Sequence, residues 1–379
     1  MKVHFAAWFL IFAVTLSSCS VEIDQPTGGT PSSQIETAPG TIPPAEGSSE
    51  PNIVTTTQVP VTWRDLNLTG RLVYINGIVV DNVFSLQIQV LNLVTGEVTT
   101  IFNAPKYSWI YYVTISPDNT QVLMSYSPPP GENQPADQDL YIMPLDGSQA
   151  PKLLFTPPAK EDDYVEVEWS SDGKYIYFTH VNFQITPQPD QIYPLYEIYR
   201  MAFRDGKPER VAEKAFWPRV SSNSSQIAYI SVDLFLRENK LYIADSNGEN
   251  AHEVVLKGQQ IPEVKDAPIF SPDGQTLIFS APVPAQAYQP NWLDRLMGVR
   301  VAKAHNVPSD WWSVPVTGGQ ISQLTNIQTT NLFASFAPDG KHIASHSTSG
   351  IFVMKPDGSE LTMLVPNPQA VPGTVTWIP

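Results

Sequence analysis

Four of the six histidines, His180, His305, His342 and His346, together with the aspartates Asp118, Asp172, Asp273 and Asp339 and the acidic run Glu161-Asp162-Asp163, are candidates for metal-binding or proton-transfer chemistry. A metal site needs several such groups converging on one point, and their spacing along the chain prescribes no convergence. The Gly-x-Ser-x-Gly nucleophile elbow, a phosphate-cradling glycine loop and the zinc-binding His-Glu-x-x-His are absent from the sequence. The recurring aspartates have a different explanation. Each stands in a tight-turn setting such as Ser271-Pro272-Asp273-Gly274, where proline fixes the first corner, aspartate accepts backbone N–H groups and glycine takes the left-handed position.

Those turns define the elements that must carry any site. Versions of the motif occur at Ile115-Ser116-Pro117-Asp118-Asn119, Trp169-Ser170-Ser171-Asp172-Gly173, Val220-Ser221-Ser222-Asn223-Ser224, Phe270 to Gly274 and Phe336-Ala337-Pro338-Asp339-Gly340, with a degenerate copy around Gly70. An apolar run with strand alternation follows each, as in Tyr175-Ile176-Tyr177-Phe178. The period is about fifty residues and returns six times, the signature of a repeat architecture. A second turn, for example Asp146-Gly147, Asn247-Gly248 or Asp357-Gly358, sits between an aromatic strand and a short apolar one. Each period therefore holds four strands, A to D. Six such units predict an all-β fold, a six-bladed β-propeller of four-stranded antiparallel blades.

The Ser-Pro-Asp-Gly strands with an Asp-Gly turn between later strands resemble the TolB-like, WD-like repeats of six-bladed propellers over about residues 61–379. That resemblance implies the scaffold and not one activity, since such propellers serve as binding platforms, as companions of peptidase domains and as lyases. A propeller lyase of similar build holds a divalent metal with channel histidines, so the resemblance keeps a metal among the expectations. The residues themselves call for no cofactor.

Residues 1–18 combine Lys2, an apolar run from Phe5 to Val14 and small residues, and read as a secretory leader. The ending Leu16-Ser17-Ser18-Cys19 resembles a bacterial lipobox, and Cys19 is the single cysteine of the chain, which points to lipidation rather than disulfide chemistry. Residues 19–60 are rich in Pro, Gly, Ser, Thr and Glu and read as a tether. The expected location is outside the cytoplasm, held to the bacterial membrane or envelope surface by lipid. A net charge of −15 argues against a nucleic-acid partner. The body is expected to be a monomer.

Gly373 to Ile378 reads as an inner strand A without a blade of its own, so the C-terminal strand is expected to close the ring by completing blade 1. The tight turns then fall on one face. The long B–C connections, Ser127 to Asp139, Val181 to Ile192 and an insertion at about 282–310 with a helical stripe from Asn291 to Met297, gather with the D–A connections on the other. Candidate ligand contacts on that face are Trp109, Tyr111, Trp217, Arg219, His305, Asp310 and Trp311, which offer stacking or charged groups. Glu168 and Arg219 occupy equivalent positions in consecutive inner strands and are expected to pair. The leading expectation is a surface-anchored, non-catalytic platform for an envelope protein or a glycan. The alternatives are a lyase-like carbohydrate enzyme with a metal at the channel mouth and a structural envelope protein.

Overall fold

In the computed structural model the described residues are 54–80, 82–130, 138–159, 162–185, 192–203, 206–232, 239–282 and 307–379. The repeats fold as six antiparallel blades. Blade 2 is built of Trp109–Ile115, Gln121–Ser127, Asp139–Pro144 and Lys152–Phe155. Blade 3 comprises Asp163–Trp169, Tyr175–Ile185, Ile192–Ala202 and Glu209–Glu213. Blade 4 comprises Ala215–Val220, Gln226–Val232, Asn239–Asp245 and His252–Glu253. Blade 5 has Asp266–Phe270, Thr276–Pro282, Ser309–Pro315 and Ser322–Gln323. Blade 6 has Phe333–Phe336, Ile343–His346, Gly350–Met354 and Thr362–Pro366.

Blade 1 takes its innermost strand, Val375–Ile378, from the far end of the chain, antiparallel to Arg71–Val80, with Val83–Asn92 and Glu97–Asn103 completing it. Trp377 anchors the closure. Its indole N–H donates to the Thr69 carbonyl at 3.0 Å and its backbone N–H donates to Ser335 of blade 6 at 3.0 Å. Trp63, the tryptophan near the start of this blade, shares a buried core with Trp377 and donates to the Leu93 carbonyl at 2.8 Å. Thr55–Gln58 adds a fifth strand against the outer edge of blade 1, so pairing begins ahead of residue 61. The leader, Cys19, most of the tether and the insertion helix at 291–297 lie outside the described residues. Among the described residues no helix is long and apolar enough to cross a membrane.

The turn chemistry explains the repeat motif. Ser116 donates its hydroxyl proton to Asp118 at 2.6 Å while accepting the Gln121 N–H at 2.9 Å; Ser170 with Asp172 and Ser271 with Asp273 repeat the pattern. The serine hydroxyl holds the carboxyls of Asp118 and Asp273 below the usual carboxylate range.

The C–D glycines answer a second demand. A Cβ at Gly358 would stand 2.1 Å from the Leu324 carbonyl oxygen, and at Gly248 2.2 Å from that of Val211. In each case the carbonyl belongs to the preceding blade, so the turn is also a blade-to-blade contact. The hydrophobic cores lie mainly between blades, as where Ile269 and Ile278 of blade 5 meet Ile343 and Met354 of blade 6.

Candidate functional site

The inner strands do not run straight. Their pairing with strand B slips between Ile110 and Tyr112, Tyr177 and Thr179, Phe216 and Arg219, and Asp266 and Ile269. In blades 3, 4 and 5 the residue at the slip, Glu166, Trp217 or Ala267, has a left-handed backbone with φ of 55°, 60° and 44°. Such bulges re-aim a side chain. Around the axis, rings from alternate blades are packed together. Tyr112 of blade 2, Trp217 of blade 4 and Phe333 of blade 6 meet in a triangle, with ring centroids 5.3, 5.4 and 6.1 Å apart.

Blades 1, 3 and 5 place the smaller or polar residues Thr374, Glu166 and Ala267 at the equivalent register, so large rings and short groups alternate around the plug. The Glu166 carboxylate braces it, accepting the Trp217 N–H and the Thr179 hydroxyl at 2.6 Å each. Thr374 both accepts from and donates to the Val113 backbone at 2.9 Å. Burial pushes the Tyr112 phenol well above its ordinary pKa, with the nearby Glu166 and Asp266 carboxylates adding to the shift.

On the tight-turn side of the plug, Arg219 reaches Glu168 at 3.4 Å and sits 5.3 Å from the Trp217 ring centroid. The expected pair therefore forms. Burial raises the Glu168 carboxyl above its ordinary value and the guanidinium opposes that rise. At this end the turns of blades 3, 4 and 5 are tied in a row, Ser171 donating to the Ser221 carbonyl at 2.9 Å and Ser222 to that of Pro272 at 2.7 Å.

The other end carries the longer connections, and two blades extend there. The B and C strands of blade 3 continue to Ile185 and from Ile192, and those of blade 1 run to Val80 and from Val83. The blade 1 hairpin leaves Val79 54% and Phe84 36% exposed. Phe84 lies 5.6 Å from Trp109 between ring centroids, and Trp109 lies 6.0 Å from Tyr111. Tyr107, in the connection leading into Trp109, is 74% exposed. A Cβ on Gly77 would come within 2.2 Å of Val371 and 3.1 Å of the Phe84 ring, so a glycine is what lets that ring lie against its own hairpin. The result is an aromatic ledge that descends from the rim to the channel mouth. At its lower end burial raises the Tyr111 phenol pKa, and the Asp163 carboxylate adds to the rise.

Of the residues expected to contact a ligand, Trp109 and Tyr111 are half-buried members of this ledge. Arg219 is near the axis on the opposite side of the plug. Trp217, Asp310 and Trp311 are each 0% exposed, which takes them off the solvent-facing surface. Trp311 donates its indole N–H to Ser345 at 2.9 Å in the contact between blades 5 and 6. Asp310 pins the following D–A connection, its Oδ1 accepting the Thr325 hydroxyl at 3.0 Å and the Ile327 N–H at 2.6 Å. His305 lies outside the described residues. Phe84, Tyr112 and Phe333 were not among the expected site residues. Counting back seven residues from each turn glycine, instead of five, picks out Tyr112, Trp217 and Phe333 in alternate repeats.

Among the described residues the histidines do not converge. His180 is buried with its Nε2 2.8 Å from Asp162 and its Nδ1 4.0 Å from Glu197, all in blade 3. His342 stacks on Trp377 at 6.3 Å, and His346 is buried beside Tyr74. Among the described residues no three His, Cys, Asp or Glu side chains are grouped to hold a metal ion, so the channel residues described do not fit the metal that the lyase resemblance implies.

This architecture is that of a six-bladed β-propeller, and comparison with solved structures narrows it. The chain is similar to TolB from Acinetobacter baumannii, with a TM-score of 0.54, 14% identity and coverage of 81% of this chain and 66% of that one. It is also similar to a putative TolB from Agrobacterium tumefaciens, at 0.51, 15%, 82% and 99%. An oligogalacturonate lyase from Vibrio parahaemolyticus gives 0.50, 11%, 84% and 87%. No protein-family model and no curated protein sequence matches the chain. The fold is TolB-like.

Proposed function

We propose that this protein is a non-catalytic binding platform, exported and held at the bacterial envelope by a lipid on Cys19, which takes a protein or a glycan on its B–C and D–A face. The observation that carries this reading is the ledge of Phe84, Trp109 and Tyr111, a run of partly exposed rings on the rim above a packed axis. Half-exposed aromatics fixed on strands offer contact area at little cost in conformational entropy. The tight-turn face offers short hairpins stitched to one another, and the axis between the faces is filled by packed rings.

The test is cross-linking in intact cells from a photoreactive group placed at Tyr107, with Trp109→Ala as the control. Adducts lost on removing the Trp109 ring support the platform; adducts unchanged by that substitution, or none, argue against it. Metal content of the purified chain, with and without His180→Ala and His305→Ala, separates the lyase-like alternative: stoichiometric metal lost in either variant would favour the enzyme.

A further inference from the structure

We infer that a second binding site, for a carboxylate, lies on the tight-turn side of the plug and is formed by the Nε and Nη2 edge of Arg219. It is separate from the ledge, which stands on the opposite face. The first observation is an incomplete set of hydrogen bonds. The Arg219 side chain keeps only 12% of its surface exposed, beside 25% for Glu168. A guanidinium has five N–H donors. Here only Nη1 is engaged, with the Pro218 carbonyl at 3.1 Å and with Glu168 Oε2 at 3.4 Å. Nε and Nη2 have no acceptor among the described residues. Two parallel N–H groups on one edge are the fork that receives both oxygens of a carboxylate. A guanidinium so far withdrawn from water, with one long contact to its counter-ion, is short of negative charge. Its position is fixed by the plug, since it sits 5.3 Å from the centroid of the fully buried Trp217 ring.

The second observation is the charge beside that fork. The equivalent positions of the other four inner strands hold Thr114, Ile269, Ser335 and Thr376, all uncharged, so one guanidinium and one carboxyl stand together. Burial raises the Glu168 carboxyl above its ordinary value, against the guanidinium. With Glu168 protonated the pair carries one net positive charge, which a single carboxylate balances and a doubly charged phosphate exceeds. The protonated carboxyl also gains an O–H donor for the incoming oxygen. Binding therefore takes up one proton, at Glu168, and strengthens as pH falls while the ligand stays ionised. The neighbouring titratable groups do not compete for that proton. Tyr177, opposite Glu168 in the A–B pairing, gives its hydroxyl to the Ser246 carbonyl at 2.8 Å. Glu166, two residues earlier, accepts from the Trp217 N–H and the Thr179 hydroxyl. Tyr112, on which Arg219, Glu166 and Asp266 all act, has its phenol pushed well above its ordinary value by burial.

The test is an NMR titration of the full-length chain, reading the Arg219 Nε–H and the Glu168 carboxyl carbon. Acetate and N-acetylglycine are the probes, standing for a free acid and a chain terminus, with N-acetylglycinamide and inorganic phosphate as controls. The carboxylates are expected to shift both signals. Arg219→Lys, which keeps the charge and loses the fork, is expected to weaken the response of the Glu168 carbon about tenfold. Glu168→Gln, which has a permanent N–H donor in place of the proton, should bind at least as tightly and lose the rise in affinity that the native chain shows from pH 8 to pH 6. A preference of about tenfold for N-acetylglycine over acetate assigns the site to a chain terminus, and without it the ligand is a free acid. The inference is overturned by an amide or phosphate response equal to that of the carboxylates, by unchanged affinity in Arg219→Lys, or by no shift with either carboxylate. Should Arg219→Lys fail to fold, loss of carboxylate binding in Glu168→Gln, or native affinity that does not rise as pH falls, overturns it as well.

Discussion

His346 gives the sharpest quantitative prediction. It ends strand B of blade 6, is 2% exposed, lies 6.4 Å from the Tyr74 ring, and its Nδ1 has no hydrogen-bond partner. Burial pushes the imidazole down from 6.5 to about 4, with hydrogen bonding to the backbone of Gly373 and Ile75 opposing the shift. The unfolded chain therefore binds a proton that the folded chain refuses between those two values. Stability from this group is full above pH 6.5 and is lost as pH falls toward 4. The gap of about 2.5 units corresponds to about 3 kcal/mol by pH 4.

Urea unfolding at intervals from pH 7.5 to 4.0, on the native chain and on His346→Gln, isolates the contribution because every other carboxylate and histidine is common to both. The native chain should lose about 3 kcal/mol more than the variant across that window. Glu168, whose carboxyl is raised by burial, contributes in the opposite sense, gaining stability as pH falls, and it does so equally in both proteins. Parallel stability curves, or an imidazole titrating above pH 6 by NMR, would refute the reasoning.

Three further outcomes are expected. Gly358→Ala should cost about 1–3 kcal/mol more than Gly274→Ala in urea unfolding, because both positions have positive φ but only the first would drive a Cβ into a carbonyl, while the second opens onto empty space. Trp377→Ala should destabilise by about 3–5 kcal/mol, and truncation after Thr374, which also removes Val375 and Ile378, should leave little folded protein by circular dichroism. Arg219→Met should raise the Glu168 pKa further, read from its carboxyl carbon shift, since the guanidinium is what opposes the burial effect; an unchanged titration would mean that the 3.4 Å contact contributes nothing.

The scaffold was legible because its signals are local and repeated. Ser271-Pro272-Asp273-Gly274 fixes a hairpin by bonds within a few residues, and the unmatched final strand announced its own partner. The plug was harder to read. Its rings come from residues such as Tyr112 and Phe333, which are far apart in the chain and ordinary in type, and only the closing of the ring brings them together. Trp311 shows the reverse failure: an indole beside a proline-rich connection has the composition of a contact residue, yet the next blade covers it. The ledge was half visible. Trp109 and Tyr111 stand two apart on one strand, whereas Phe84 joins them only because the blade 1 hairpin overruns its neighbours, a length that alternation in Ile78-Val79-Val80 does not fix.

The position of the ledge follows from the plug. An aromatic triangle across the axis packs the inner strands of blades 2, 4 and 6 against one another, so the open rings of the proposed platform stand on the rim. There the chain has lengthened blade 1, the same blade that ring closure builds from both ends of the described chain. Its inner strand is tied to blade 6 through Trp377 and to blade 2 through Thr374, so the protruding hairpin stands on a blade braced from both sides. Rings held on such a base are preorganised, and the entropy a looser loop would lose on binding has already been removed by folding.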